Sequence, residues 1–321
     1  MIQRILVPVD GSPFAEQAIP MATGLARRLG ARLEFALVHD SLTVVSTLNV
    51  GGFALPSNAR LPSEELEPEE QSRTAYLRQL GKQVAQAADV PVTVTLLSGP
   101  ISETLAEHAN ERADLVVMTT HARGLLSRFW LGSVADGLVR ELKQPILLIK
   151  PSDSDGAPDV TSNQATAGRF RRVLVPLDHS CASETILTPL IDLLGGEAEV
   201  ACTLLLARTL ASPTPLHPLP GVGLIAAPAI NGPTVDTGYL NRVAKRLIQQ
   251  FHVETRVAVG GQPASVILAE AEQLGADLIA MATHGSGGLR RFVLGSVADK
   301  VRRRTAATVL LFRPRDCGEL H

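Results

Sequence analysis

Residues 113–136 read ADLVVMTTHARGLLSRFWLGSVAD, and residues 276–299 read ADLIAMATHGSGGLRRFVLGSVAD, with sixteen of 24 positions identical at a constant offset of 163. A second pair of segments repeats as well: Ile5-Leu6-Val7-Pro8-Val9-Asp10 matches Val173-Leu174-Val175-Pro176-Leu177-Asp178 at an offset of 168. A period of that size is far too long for a solenoid and is the size of a whole domain. Between the copies, PSDSDGAPDVTSNQATAG (residues 151–168) is polar, rich in Pro, Gly, Ser and Asp, and without periodicity, which is the composition of a flexible linker. The expected organisation is one domain over 1–150, a linker over 151–168 and a second domain over 169–315.

Within the first copy, short apolar runs predict strands at 3–9, 32–39, 92–97, 114–119 and 145–149. Helices are expected at 13–29, 66–87, 100–112 and 133–143. The second copy predicts strands at 171–177, 199–207, 253–259, 277–282 and 307–312, with helices at 181–194, 236–250, 263–274 and 296–304. Pro100 and Pro263 correspond at the offset of 163, both in a first helical turn, where proline is favoured. Alternation of this kind means an α/β fold with a parallel sheet covered by helices on both faces. Composition agrees, since 45% hydrophobic residues with only 3% aromatics leave the cores to Val, Leu, Ile and Ala. Two connections, 41–65 and 209–235, exceed ordinary loop length and follow the second strand of each copy. Each reads either as a lid over the carboxyl edge of the sheet or as an insertion covering an apolar patch.

Each long repeat ends in Gly-Ser opening a helix, whose first N–H groups have no partner inside the helix and so form a natural anion site. In the second copy, Ala282-Thr283-His284-Gly285 is followed nine residues later by Gly295-Ser296. Glycine lets backbone approach a ligand, Ser296 offers a hydroxyl, and the amides of Ser296 and Val297 offer N–H groups. Arg290 and Arg291 add positive charge in the intervening stretch. The bland alternative is a capping box, because Ser296-Val297-Ala298-Asp299 and Ser133-Val134-Ala135-Asp136 both read Ser-x-x-Asp. Asp10 and Asp178 end the first strands, where a carboxylate serves a ligand amine, a ribose or a metal, or else closes an Asx-turn. His121 and His284 follow Thr at a strand end with no nucleophile or metal cluster at useful spacing, and read as turn residues.

The sequence lacks a G-x-x-x-x-G-K-[ST] loop, a G-x-S-x-G elbow and any C-x-x-C or H-E-x-x-H cluster. Net charge is −2, which gives no global drive toward nucleic acid or acidic membrane. Three unpaired cysteines, Cys181, Cys202 and Cys317, read as reduced thiols. With no apolar run long enough to span a bilayer and no signal-peptide pattern, a soluble, cytoplasmic protein is the expectation. Arg302-Arg303-Arg304 falls at a helix C-terminus, where the dipole favours cations.

These motifs together resemble the universal stress protein family in its tandem form. Members that bind ATP carry Gly-x-x-Gly, nine residues, then Gly-Ser or Gly-Thr, paired with Val-Pro-x-Asp at the end of the first strand. The resemblance implies two Rossmann-like (adenine nucleotide alpha hydrolase-like) domains with sheet order 3-2-1-4-5 and a nucleotide over strands one and four. It transfers a nucleotide site to Pro176, Asp178, Met281, Ala282, Gly285, Gly295, Ser296 and Val297, with Ala282 replacing the first motif glycine. The first copy keeps Pro8, Asp10, Gly132, Ser133 and Val134, but has Thr119 and Ala122 at the two glycine positions. A methyl group at Ala122 where backbone must touch phosphate implies a weak or absent first site. ATP, with or without Mg2+, is the implied ligand. The family also pairs domains along their last strands. Pairing 145–149 with 308–312 would cover two apolar edges and make an intrachain pseudo-dimer, with a homodimer of the whole chain left open. No general base is evident, so the leading function is an ATP-dependent stress regulator or binding module. A slow ATP hydrolase and a nucleotide-free scaffold are the alternatives.

Overall fold

The computed structural model describes residues 1–39, 67–120, 133–150, 168–197, 199–209, 233–283 and 294–314. The first half contains β1 (Arg4–Pro8), α1 (Pro13–Glu16), α2 (Ile19–Leu29), β2 (Arg32–His39), α3 (Glu67–Ala88) and β3 (Val92–Ser98). It continues with α4 (Ile101–Arg112), β4 (Leu115–Thr119), α5 (Ser133–Glu141) and β5 (Ile146–Ile149). The second half contains β6 (Arg172–Leu177), α6 (Cys181–Glu184), α7 (Leu187–Leu194), β7 (Ala201–Thr209), α8 (Pro233–Ala244) and β8 (His252–Gly260). It ends with α9 (Pro263–Leu274), β9 (Leu278–Ala282), α10 (Ser296–Arg304) and β10 (Thr308–Phe312). Of the long connections at 41–65 and 209–235, read as a lid or as an insertion, the first and residues 210–232 of the second lie outside the described residues, as does most of the linker, while residue 209 ends β7 and 233–235 open α8.

The strand order is β3-β2-β1-β4-β5-β10-β9-β6-β7-β8. Each half therefore has the expected 3-2-1-4-5 arrangement, and the two five-stranded sheets are one ten-stranded sheet. Every neighbouring pair is parallel except β5 with β10, which run antiparallel with Val309 opposite Leu148 and Leu311 opposite Ile146. Ile146, Leu147, Leu148, Val309, Leu310 and Leu311 are all buried, so the join removes two apolar edges at once. Because the halves meet antiparallel, their strands end on opposite edges of the sheet.

Alternation along the strands divides the interior into two layers. Ile5, Val7, Val173, Val175, Leu147 and Leu310 face α2, α3, α7 and α8, while Leu6, Val116, Leu174, Ile279 and Leu311 face α4, α5, α9 and α10. Each layer runs through both halves. The repeated Ala-Asp of the long motif has a structural role: Asp114 accepts from the N–H groups of Gln3 and Arg4, each at 2.9 Å. Asp277 does the same for Arg171 at 2.8 Å and Arg172 at 3.1 Å. Both carboxylates pin the start of a central strand, at the edge opposite the Gly-Ser turn of the same half.

The single helices expected at 13–29 and 181–194 are each broken. Pro20 and Pro189 cannot donate to the preceding turn, and their rings crowd the carbonyl four residues back, so the helix stops and restarts. The breaks are tight rather than open, with Gln17 N–H on Phe14 O at 3.2 Å and Thr185 N–H on Ala182 O at 3.3 Å. The helix expected over 236–250 runs from Pro233 to Ala244 and continues as turns. No helix among the described residues is long and apolar enough to cross a membrane.

Candidate functional site

In the second half, β6 and β9 are parallel neighbours, with Val173 beside Leu278 and Leu174 beside Ile279. Pro176 is buried in β6, paired with Leu205, and Asp178 emerges exposed just past the strand. Met281 and Ala282 end β9. Met281 is 5% exposed and packs into the core layer beneath α9 and α10, so it supports the site from within.

The start of α10 is fixed by tertiary contact. Gly295 N–H donates to the carbonyl of Thr283 at 2.8 Å, while Thr283 N–H donates to Phe312 O at 2.9 Å. This clasp holds the first turn of the helix against the end of β9. Gly295 is the N-cap residue, with φ −55 and ψ 139, and no side chain caps the helix. The first intrahelical bond is Asp299 N–H to Gly295 O, at 2.9 Å. The capping-box alternative therefore fails at this helix: Ser296 is the first helical residue, one position past where a capping hydroxyl must sit. Ser296 is exposed, and the N–H groups of Ser296, Val297 and Ala298 belong to the turn that has no intrahelical acceptors.

A carboxylate in that first turn would oppose a bound anion, but Asp299 is neutralised. Arg303 Nε donates to both its oxygens, at 3.0 and 2.9 Å, and Arg302 donates to it as well. Arg302 also reaches across to Asp136 of α5 at 3.0 Å, and Asp136 pairs with Arg140 at 2.5 Å. The Arg302 side chain is 1% exposed, so burial lowers the proton affinity of its guanidinium, and neighbouring Arg303 pushes the same way. Asp299 and Asp136 act against both. The helix-dipole reading of Arg302 thus missed its main role, a buried tie between the two halves. A second tie is Arg28, which donates to Leu193 O at 2.6 Å and Gly168 O at 3.2 Å and lies 3.3 Å from Glu197.

Both strand-ending aspartates close Asx-turns. Asp10 Oδ1 accepts from Ser12 N–H at 2.9 Å and Ser12 Oγ at 2.6 Å, and Asp178 Oδ1 accepts from Ser180 N–H at 3.0 Å and Ser180 Oγ at 2.5 Å. Each serine then caps the next helix, through Ala15 N–H at 3.2 Å and Ser183 N–H at 3.0 Å. In the first half Pro8 is buried in β1, Asp10 is exposed, and Ser133 and Val134 open α5. Ala122, Gly132, Gly285, His121, His284, Arg290 and Arg291 lie outside the described residues.

A residue that sequence reasoning passed over is His179. Its φ is +66, in the left-handed region, where the first half has Gly11 at φ +82. Its ring lies on that of Tyr239, with centroids 4.2 Å apart and planes at 32°. The signal was available in the alignment of Asp10-Gly11-Ser12 with Asp178-His179-Ser180.

The model of the universal stress protein family matches residues 1–150 and 169–313. The chain belongs to the universal stress protein family. A universal stress protein of Mycolicibacterium smegmatis is 28% identical over 324 residues, covering 97% of each chain. One from Synechocystis is 24% identical over 326 residues, covering 97% of this chain and all of the relative. The crystal structure of a universal stress protein from Archaeoglobus fulgidus superposes with a TM-score of 0.64 at 18% identity, over 98% of this chain and 97% of that one. The doubled architecture is thus shared along its full length with other universal stress proteins, and membership places this one among stress-response proteins.

Proposed function

We propose that this universal stress protein binds ATP in its second half and acts as a nucleotide-dependent regulator or binding module of a cytoplasmic stress response. The phosphates would lie against the first turn of α10, on the N–H groups of Ser296 and Val297 and the Ser296 hydroxyl, with Gly285 allowing backbone to approach from the other side. The nucleoside would lie toward Pro176 and Asp178, with Met281 and Ala282 as the floor. Asp178 is the carboxylate to serve the ribose, the base or an accompanying Mg2+. The first half, with Ala122 in place of glycine, would bind weakly or not at all through Pro8, Asp10, Gly132, Ser133 and Val134. We also propose that the chain divides into domains at 1–150 and 169–315.

The observation that carries the reading is the uncapped start of α10. Gly295 is clasped to Thr283, Ser296 stands exposed, and the nearby Asp299 is neutralised by two arginines. Oriented N–H groups with no side-chain cap, at the positive end of a helix, suit a multiply charged anion. The fit is chemical as well as electrostatic, since every donor named is backbone or hydroxyl and survives at any pH near neutrality.

The test is the nucleotide released on denaturing the purified protein, read by mass spectrometry, together with calorimetric titration of ATP. One site per chain is expected, abolished by Gly295→Val with Ser296→Ala. Two equivalent sites would refute the asymmetry. No binding at all would leave the Gly-Ser turns as structural helix starts. ATP turnover well above background and lost in Asp178→Ala would instead make the chain a hydrolase.

A further inference from the structure

The two Asx-turns at the ends of β1 and β6 share their aspartate–serine hydrogen bonds, yet one is built on glycine and the other on histidine. Gly11 takes φ +82 without steric cost, whereas His179 takes φ +66 with a Cβ that the left-handed region disfavours. A histidine there strains the turn, and the aspartate–serine bonds do not require it, because Ser12 and Ser180 make equivalent bonds to Asp10 and Asp178. The strain therefore has to be explained by what the side chain does. The imidazole lies tilted on the ring of Tyr239, 4.2 Å between centroids. Tyr239 is 6% exposed and held in α8, while His179 itself is exposed. The result is a two-layer aromatic step, its lower ring immobilised by burial and its upper ring presented at the carboxyl edge of the sheet, next to Asp178. The first half has the tyrosine without the second ring: Tyr76 lies at the repeat position of Tyr239, half-buried, and its hydroxyl donates to Glu16 at 2.7 Å, while Gly11 has no side chain to stack.

We infer that His179 is a base-stacking residue, which gives the second half its preference for a purine nucleotide. The inference rests on the ATP-binding reading above and deepens it. Every base has a π-face, so an aromatic platform contributes affinity, and the larger purine ring gains more than a pyrimidine. Pre-stacking on Tyr239 fixes the imidazole before the ligand arrives, which lowers the ordering cost of binding.

The experiment compares wild type, His179→Gly and His179→Phe by calorimetric titration with ATP and with CTP, and by thermal melting. His179→Gly copies the residue of the first half and relieves the turn. Its melting temperature should hold or rise, while its affinity for ATP falls about tenfold and the preference for ATP over CTP collapses. His179→Phe keeps the face and should retain both. If wild type binds ATP and His179→Gly binds it equally well with the same preference, the inference is overturned and the ATP reading stands. If wild type binds neither nucleotide, both fall together. A loss of ATP affinity in His179→Gly that comes with a lowered melting temperature and is not rescued by Phe would make His179 a structural residue and overturn the inference.

Discussion

Arg302 separates two accounts of what holds the halves together. Its guanidinium is 1% exposed and donates to Asp136 and Asp299, yet its Nε and Nη1 atoms have no hydrogen-bond partner among the described residues. The charge is thus desolvated and only partly compensated, a state in which an apolar replacement is often neutral or better. Truncation to alanine removes two buried methylenes, about 0.8 kcal/mol each, together with the guanidinium, and leaves a cavity. It strands neither carboxylate, because Asp136 keeps Arg140 and Asp299 keeps Arg303. Arg302→Ala should therefore cost about 2–4 kcal/mol, and Arg302→Met, which restores most of the stem volume, should fall within about 1 kcal/mol of wild type. At about 2 °C per kcal/mol for a chain this size, melting should drop by roughly 4–8 °C in the first variant and barely move in the second. Urea unfolding should show a single transition in all three proteins, since the core layers run through both halves. The reasoning is refuted if Arg302→Met is as destabilised as Arg302→Ala, for then the ion pairs and not the buried stem hold the interface.

Other outcomes follow from single sites. Gly168 has φ +81, and a Cβ there would stand 2.5 Å from the backbone nitrogen of Leu25. Gly168→Ala should lower the urea midpoint by an amount worth about 1–3 kcal/mol or more. Burial pushes the Cys202 thiol up to about 12 from 9.0, so the folded state holds a proton that the unfolded chain loses first. This thiol should contribute nothing to the pH dependence below pH 9 and should then lower stability by about 1.4 kcal/mol per pH unit up to pH 12, a contribution that Cys202→Ala removes while that of Tyr76 and Tyr239, both raised by burial, remains. In native protein a thiol reagent should modify exposed Cys181 and spare Cys202 until the chain unfolds.

Much of this architecture was legible in the residues. The strands were readable because they are short, apolar and bounded by turns, and the pairing of β5 with β10 was implied by the family resemblance and supported by two apolar edges that needed cover. Pro20 and Pro189 could have given the helix breaks, since a ring in that position cannot continue a helix. The role of Ser296 was ambiguous locally, because Gly-Ser-x-x-Asp fits both a cap and a ligand turn. A bond from Gly295 to Thr283, twelve residues away, decides the register of the helix start. Arg302 was opaque for the same reason, as its partner Asp136 lies 166 residues distant. No local pattern distinguishes an arginine at a helix end that meets solvent from one that meets another helix.

The position of Arg302 in the repeat is occupied in the first half by Val139. Were the two halves identical subunits related by a true two-fold axis, a second arginine would stand at 139, and both guanidiniums would compete inside one buried seam for the same two aspartates. Fusing the copies into one chain lifts that restriction. Each side of the seam can mutate alone, so one repeat position can carry a cation in one half and an apolar side chain in the other, and a turn in one half can lose its glycine without the other losing it too. Covalent linkage thus turns a symmetric assembly into one whose halves are free to specialise while still sharing a core.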